Sequence, residues 1–474
     1  MHPGVRSGVR WSSISAIVLR LSNFLVGIIT ARLVSPEQFG AFAVALSVYG
    51  IVSMVSDMGV SQAIAKEVHR TAAIAPTAMS LNIGTAGISS AVLFVLAPTI
   101  AAGLGAPDAT DAIRVLGLTI LAGSLGTVPA MILTRDYRQR ERFMSDLLNF
   151  VVGSVALVVL ARMGYGALAL AWSRLIGQLV SAVVLNAVNK ERYWFGLDRS
   201  ELWPLLHFSL PLAGAGALGV LISNIDTLVI ARLLDTTQLG YYNLAFNVGN
   251  WPIAVFSSIL ISITIPTFAR DAGNPAELRS HLVAAMASLA AAALPASALL
   301  ISLSSAVVST LYGAKWLPAA PVLAVLGLLT IVRLVQILLG DLLIALGYTR
   351  PLLVAQLIWV IALVPAMVVG VRLGGMVGAA WAHIVVGVLV VLPSYVVVLR
   401  RRVHIRGGWV RTTFLQPTLS SVLAGLAAWG VSMVIDNQWV TLLVGSAVAL
   451  SVYLVTSLRW LREFMSWVRV RYDG

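Results

Sequence analysis

The sequence predicts an all-α integral membrane protein with about 14 transmembrane helices, arranged as two parallel six-helix lobes followed by two extra helices. Three observations carry this prediction: the composition, the distribution of positive charge among the loops, and an internal repeat. The 474 residues are 59% hydrophobic and 11% charged, whereas a soluble domain has about 25% charged residues. The mean hydropathy is +0.93. A water-soluble protein of this length is therefore excluded.

Fourteen stretches of the chain meet the requirement of about 20 mainly apolar residues for a membrane-spanning helix. Their limits are 11–33, 41–64, 80–102, 113–133, 144–162, 166–188, 207–233, 240–265, 282–305, 319–346, 351–371, 376–399, 416–435 and 438–458. The basic residues 1–10 lead into the first stretch without a small-residue cleavage site. We interpret that stretch as a span and not as a removable signal peptide.

The loops on the two sides of the membrane differ in positive charge. The chain has 32 Lys and Arg against 19 Asp and Glu, a net charge of +13. Loops on the side of the N-terminus hold 23 basic residues, loops on the other side hold six, and three lie within spans. Because cytoplasmic loops are enriched in Lys and Arg, both termini are predicted to be cytoplasmic. The excess charge follows from membrane topology, so no nucleic-acid partner is expected.

The chain repeats itself at an offset of 200 residues. Residues 30–49 and 230–249 are identical at seven of twenty positions, including Gln38 and Gly40. Six predicted helices separate the two copies. Since six is even, the copies have the same orientation and form parallel repeats.

The repeat divides the chain into three predicted parts. Residues 1–200 form an N-lobe with helices 1–6, and residues 201–400 form a C-lobe with helices 7–12. Residues 401–474 hold helices 13 and 14 and a basic tail. Aromatic and apolar side chains lie on one stripe of that tail, which predicts an amphipathic helix on the membrane surface; they are Trp460, Leu461, Phe464 and Trp467.

Three arginines lie deep within predicted spans: Arg20, Arg174 and Arg333. A charge at the bilayer centre costs about 2.5–3.5 kcal/mol even on the lenient insertion scale, and such residues usually face a wet cavity. Polar side chains at helical spacing accompany them in both repeats. We therefore predict a central cavity between the lobes, with substrate-binding residues Arg20, Asn23, Arg174, Asn224, Arg333 and Gln336.

Three acids also lie within spans, namely Asp57, Asp226 and Asp341. They are candidate sites for a coupling ion, Na⁺ or H⁺. Because they equal the deep arginines in number, interhelical ion pairs that only fix packing are the alternative for all six groups.

Sequence signatures of common enzymes are missing from the chain. It contains no Walker A, HExxH or GxSxG sequence. It contains no cysteine, so disulfides and thiolate metal sites are excluded. No catalytic residue, metal site or resident cofactor is expected.

Two segments near the N-terminus carry a family resemblance. The stretch ARLVSPEQFGAFAVALSVYG at 31–50 and the stretch SDMGVSQAIAKE at 56–67 resemble the signature of Wzx-type bacterial polysaccharide flippases. These form the polysaccharide transport family of the multidrug/oligosaccharidyl-lipid/polysaccharide (MOP) exporter superfamily. The basic run TRDYRQRERF at 134–143 is similar to the family's loop between helices 4 and 5.

The resemblance implies a flippase in the bacterial inner membrane. Its substrate would be an undecaprenyl-pyrophosphate-linked oligosaccharide, moved from the inner to the outer leaflet by alternating access for O-antigen, capsule or exopolysaccharide assembly. A polysaccharide polymerase and glycosyltransferases are candidate protein partners. Two alternatives stay open: a cation-coupled multidrug exporter of the same superfamily, and a non-transporting scaffold of a polysaccharide synthesis complex.

Overall fold

The computed structural model describes residues 22, 24–57, 71–189, 195–402 and 409–472, and every regular element within these ranges is helical. The α-helices are α1 (Phe24–Leu33), α2 (Pro36–Asp57), α3 (Thr71–Gly103), α4 (Thr110–Arg135), α5 (Gln139–Arg162), α6 (Ala167–Val188), α7 (Arg199–Ser223), α8 (Ile225–Leu233), α9 (Thr236–Arg270), α10 (Pro275–Ser302), α11 (Ser304–Tyr312), α12 (Ala320–Ala345), α13 (Thr349–Val386), α14 (Leu392–Arg402), α15 (Trp409–Val434) and α16 (Gln438–Tyr472). Short 3₁₀ helices cover Pro107–Ala109 and Ala314–Ala319, and a π-helical segment covers Gly387–Val391.

The predicted all-helical membrane fold is confirmed. Within the described ranges, 10 helices are long and apolar enough to cross a membrane, or 11 if one bent pair counts as a single span. The predicted number of 14 spans remains a prediction. Two predicted spans, 351–371 and 376–399, lie in one apolar run, Thr349–Arg401. The backbone of that run breaks at Gly375, whose φ of +55° is accessible to glycine at little cost.

The chain separates into two compact units, Met1–Gly240 and Tyr241–Gly474. In the first unit α6 packs against α4 and α5, α3 packs against α4, and α2 packs against α7. In the second unit α10 packs against α12 and α15. Helices α15 and α16, which hold the last two predicted spans, also pack against each other. The division into lobes at residues 200 and 400 stays a sequence-based prediction.

The first copy of the repeated motif forms the start of α2. The Gln38 backbone N–H donates to Ser35 Oγ, and the Ser35 N–H donates to Gln38 Oε1, each at 3.2 Å. This reciprocal pair is a capping box, which satisfies N–H groups that a helix start leaves without partners. Pro36 occupies the first helical position, where its missing N–H costs nothing.

In the second copy, the corresponding glutamine, Gln238, also takes part in helix capping, at the start of α9. There Asp235 is the capping residue, and Gln238 donates to its carboxylate from both the backbone N–H, at 2.7 Å, and the side-chain amide, at 3.1 Å. The repeated glutamine is thus explained by helix capping in both copies.

The repeated glycine allows the two helix starts to touch. A Cβ on Gly40 would overlap the backbone carbonyl of Thr236, and a Cβ on Gly240 would overlap that of Pro36. The contact is reciprocal, because each glycine faces the first turn of the other helix. Any side chain at either position would force the two helices apart.

Asp198 begins α7 and lies outside the membrane-spanning segments. Its carboxylate accepts hydrogen bonds from the Ser200 hydroxyl at 2.7 Å and the Ser200 backbone N–H at 2.9 Å. These bonds, first the side-chain one and then the backbone one, hold the pKa of the Asp198 carboxyl below its ordinary value of 3.8.

Candidate functional site

Two of the predicted site residues, Arg20 and Asn23, lie outside the described residues. The structure describes the others: Asp57, Arg174, Asn224 and Asp226 in the first unit, and Arg333, Gln336 and Asp341 in the second. Within each unit, neighbouring helices position these residues.

Arg174 lies near the middle of α6 and lines a cavity of about 350 Å³ inside the first unit. Helices α1, α2, α4, α5 and α6 line this open cavity, which we call the N-unit cavity, and the Arg174 side chain is exposed to it. Its polar lining residues are Thr30, Tyr49, Thr119, Asn149, Ser154, Ser173, Arg174 and Gln178. Gln178 follows Arg174 by one helical turn, so the two side chains share a face of α6. Tyr49 of α2 is close enough to Arg174 for an electrostatic interaction.

The charge of Arg174 has no opposite partner in the described part of the chain. None of the described residues that line the N-unit cavity carries a carboxylate. No described residue forms an ion pair or a hydrogen bond with the guanidinium. An interhelical ion pair, the alternative that the sequence left open for Arg174, is therefore not formed within the described ranges.

Arg333 has different surroundings in the second unit. Its guanidinium carbon lies 4.9 Å from the ring centroid of Trp359, in cation–π geometry. Arg333 also interacts electrostatically with the buried Tyr395 of α14. The Tyr395 hydroxyl accepts a hydrogen bond of 3.0 Å from the Gln356 amide. Three helices, α12, α13 and α14, thus position this arginine.

Gln336 follows Arg333 by three residues on α12 and contacts backbone. Its side-chain N–H donates to the carbonyl of Gly387 at 3.3 Å. The same carbonyl accepts from the Leu392 N–H, the bond that defines the π-helical turn. Such turns are rare and are often found at functional sites. Gln336 of α12 therefore contacts the π-helical segment between α13 and α14.

Asn224 lies at the break between α7 and α8. The axes of Ala213–Ser223 and Ile225–Leu233 differ by 51°. The Asn224 amide donates to the Val220 carbonyl at 2.8 Å, and its oxygen accepts from the Ser47 hydroxyl of α2 at 2.9 Å. The residue thus connects the bend to α2.

The three acids are each engaged with other groups. Asp341 is buried and accepts a hydrogen bond of 3.1 Å from the Thr264 hydroxyl of α9. Asp226, also buried, lies in the first turn of α8, where a negative charge is favoured by the helix dipole. Asp57 is the last residue of α2. Asp57 and Asp226 also have interaction partners.

Several residues of these groups were not predicted from the sequence, among them Tyr49, Asn149, Trp359 and Tyr395. Asn149 is the one polar residue in the stretch LLNFVV, a signal that could have found it. The aromatic residues give no such signal, because aromatic side chains are common in apolar spans whatever they contact.

Chemically, the described groups can bind negative charge and hydrogen-bonding oxygens. A guanidinium binds phosphate or carboxylate through two parallel hydrogen bonds, and carboxamides bind hydroxyls. Within the described ranges, no group of three or more His, Asp or Glu side chains is placed to hold a metal ion.

The amino-acid sequence is similar to proteins of bacterial polysaccharide biosynthesis. Residues 29–321 match a family model described as "Polysaccharide biosynthesis protein". The lipopolysaccharide biosynthesis protein WzxC of Escherichia coli (strain K12) is 24% identical over 421 residues, covering 87% of this chain and 86% of that protein. The succinoglycan biosynthesis transport protein ExoT of Rhizobium meliloti (strain 1021) is 30% identical over 331 residues, covering 68% of this chain and 66% of that protein.

Among solved structures, the lipid II flippase MurJ in an inward closed conformation has a similar fold. The TM-score is 0.77 at 16% sequence identity, and the match covers 95% of this chain and 99% of that one. The family match extends over more than half of the chain. This multi-pass membrane protein therefore belongs to the polysaccharide biosynthesis protein family.

Proposed function

We propose that the protein translocates a polyprenyl-pyrophosphate-linked oligosaccharide from the inner to the outer leaflet of the bacterial cell membrane. The observation that carries this proposal is its relationship to a lipopolysaccharide biosynthesis protein and a succinoglycan biosynthesis transport protein. The fold shared with a lipid II flippase supports it.

The chemistry of the cargo matches the groups that the chain places within the membrane. A pyrophosphate needs cationic donors, and a glycan needs hydrogen-bonding partners away from lipid. We assign pyrophosphate contacts to Arg20 and Arg333. The guanidinium carbon of Arg333 lies over the Trp359 ring, and a guanidinium can bind phosphate through two parallel hydrogen bonds. We assign sugar contacts to Asn23, Asn224 and Gln336.

The proposed mechanism is alternating access without covalent chemistry, so no enzymatic activity is expected. The lobes predicted at 1–200 and 201–400 would open in turn towards each leaflet. Moving an anion outward across an inside-negative membrane is downhill by about 2.3 kcal/mol per charge per 100 mV. Coupling to Na⁺ or H⁺ through Asp57, Asp226 or Asp341 is consistent with this mechanism but is not needed to drive it.

The orientation and partners follow from the same proposal. Both termini would be cytoplasmic, as the charge distribution between loops predicts. Two kinds of partner protein are expected. Glycosyltransferases would supply the lipid-linked oligosaccharide on the inner side of the membrane, and a polysaccharide polymerase would use it on the outer side.

The test is translocation in proteoliposomes with a fluorescently labelled polyprenyl-pyrophosphate oligosaccharide. Label that reaches the opposite leaflet is counted by quenching with an impermeant reductant. We expect transport by the wild type and its loss in Arg20→Ala. The control is Arg372→Ala, which removes the same charge from an exposed position in α13. Normal translocation by folded Arg20→Ala would contradict the assignment of Arg20, and no translocation by the wild type would contradict the function.

A further inference from the structure

The N-unit cavity contains more hydrogen-bonding capacity than its own residues use. Its small hydroxyl groups donate to carbonyls of their own helices. The donors and distances are Thr30 (2.7 Å), Thr119 (3.1 Å), Ser154 (2.6 Å) and Ser173 (2.8 Å). These four side chains are therefore satisfied within the walls of the cavity.

The larger polar side chains of the cavity are not satisfied in this way. Tyr49, Asn149, Arg174 and Gln178 all line it. None of them makes a side-chain hydrogen bond to any residue that the structure describes. They come from three different helices, α2, α5 and α6, and converge on one space. Polar groups from several helices that converge on one cavity are typical of a ligand site.

The charge in the cavity determines what that partner is. The described lining is cationic through Arg174 and includes no carboxylate. Guanidinium and carboxamide groups supply N–H donors, and the phenol supplies an O–H donor. Such a set of donors around one positive charge fits a negatively charged group with several acceptor oxygens. A planar guanidinium also matches two oxygens of a tetrahedral oxyanion.

The size of the cavity is sufficient for such a ligand. Its volume of about 350 Å³ lies at the low end of the range for small-molecule sites. This volume accommodates a phosphate group with ordered water. A single oxyanion can therefore bind in the cavity on its own.

We propose that the N-unit cavity binds a phosphate-class oxyanion through Arg174, Gln178, Asn149 and Tyr49. The anion supplies the opposite charge that Arg174 lacks among the described residues. Two sources share this chemistry: free inorganic phosphate, and a phosphate group of the lipid carrier. The proposal goes beyond the proposed function, because free phosphate would bind here whether or not the protein moves a lipid-linked glycan.

The experiment measures binding of radiolabelled inorganic phosphate to the purified full-length protein in phosphate-free detergent buffer. We expect saturable binding to the wild type and a loss of affinity of at least about tenfold in Arg174→Gln, because a hydrogen-bonded charge is removed. Arg162→Gln is the matched control, since it removes the same charge from the exposed end of α5, outside the cavity lining. It should bind phosphate like the wild type.

A second variant tests the charge argument without removing the arginine. Gln178→Glu is nearly isosteric and places a carboxylate one turn from Arg174, where the two can pair. This internal carboxylate should replace the anion. We expect no phosphate binding, and no increase in melting temperature on addition of phosphate, although phosphate stabilises the wild type.

Competition then identifies the source of the anion. Displacement of labelled phosphate by a short-chain polyprenyl pyrophosphate would show that the site also accepts the carrier's phosphate. Lack of displacement would assign it to free anions alone. The proposal is overturned if the wild type binds no phosphate at millimolar concentration, or if Arg174→Gln and Gln178→Glu bind it unchanged. The translocation assay is read separately, so failure of the flippase proposal is distinguishable from failure of this one.

Discussion

Arg174 and Arg333 are both arginines within apolar helices, yet their surroundings differ in kind. Arg333 stacks on Trp359 and interacts with Tyr395, so aromatic groups from two other helices fix its position. Arg174 faces a cavity whose larger polar groups have no side-chain hydrogen bonds to described residues. The same residue type is thus placed in two different local environments. Arg333 lies against aromatic rings, whereas Arg174 lines a pocket with other polar side chains.

Within this comparison, the largest effect on translocation is expected from Arg333. Arg333→Gln should lower translocation of lipid-linked oligosaccharide by about 10- to 100-fold, because hydrogen bonds to charged groups contribute about 1.5–3 kcal/mol. Phosphate binding in the N-unit cavity should not change. The measurement is the initial translocation rate in proteoliposomes, with Arg372→Gln as control. Normal transport by Arg333→Gln would contradict the assignment of Arg333 to cargo binding. The proposed difference between the two arginines would then be lost.

Trp359 tests whether stacking positions Arg333. Trp359→Ala removes a cation–π contact of about 0.5–2 kcal/mol and should reduce apparent affinity for the cargo more than the maximal rate. Trp359→Phe keeps an aromatic face and should restore most of the affinity. The measurement is translocation rate against cargo concentration. Equal effects of the two substitutions would argue that Trp359 only fills space.

A substitution at Gly177 tests the surroundings of Arg174 in the N-unit cavity. A Cβ at this position would lie 2.8 Å from the Asn149 backbone oxygen and would overlap its side-chain oxygen. Gly177→Ala should therefore displace Asn149 and cost about 1–3 kcal/mol of stability through overpacking. Phosphate affinity should fall, while cargo affinity at the Arg333 group should be retained. Gly164→Ala is a poor control, because Gly164 has a positive φ. Gly84→Ala is suitable, since open space surrounds that position.

The smallest effect is expected from a charged group outside both arginine sites. The lowered pKa of the Asp198 carboxyl means that its contribution to stability is present above the ordinary carboxyl pKa of 3.8. This contribution is lost as the pH falls through the lowered folded-state pKa. Asp198→Ala should therefore lower the melting temperature slightly at pH 7 and have less effect at pH 3, with neither anion site altered. An equal shift at both pH values would contradict this assignment.

The sequence predicted the helical membrane fold and the repeated motif because both depend on local information. Apolar length determines spans, and the residues S-P-E-Q form a capping box that is readable in order along the chain. The function of the repeated glycine was not readable. It depends on the approach of Gly40 to Thr236, residues that are far apart in sequence.

The site was predicted only in outline for the same reason. Depth within a span identified Arg174 and Arg333 as unusual, but not their neighbours. Trp359 and Tyr395 are unremarkable in apolar helices until packing brings them to Arg333. Asn224 and Gln336 were predicted as sugar contacts from their polarity. In the structure, Asn224 accepts a hydrogen bond from Ser47, and Gln336 donates one to the Gly387 carbonyl. Their role in cargo binding stays a prediction.

The central claim is that this protein moves an anionic, glycan-bearing lipid. The most direct test compares two labelled cargoes in the same proteoliposomes: a polyprenyl-pyrophosphate oligosaccharide and a lipophilic cationic dye typical of multidrug exporters. We expect protein-dependent movement of the lipid-linked oligosaccharide and none of the dye, with or without imposed Na⁺ and H⁺ gradients. Gradient-driven movement of the dye without movement of the oligosaccharide would contradict it.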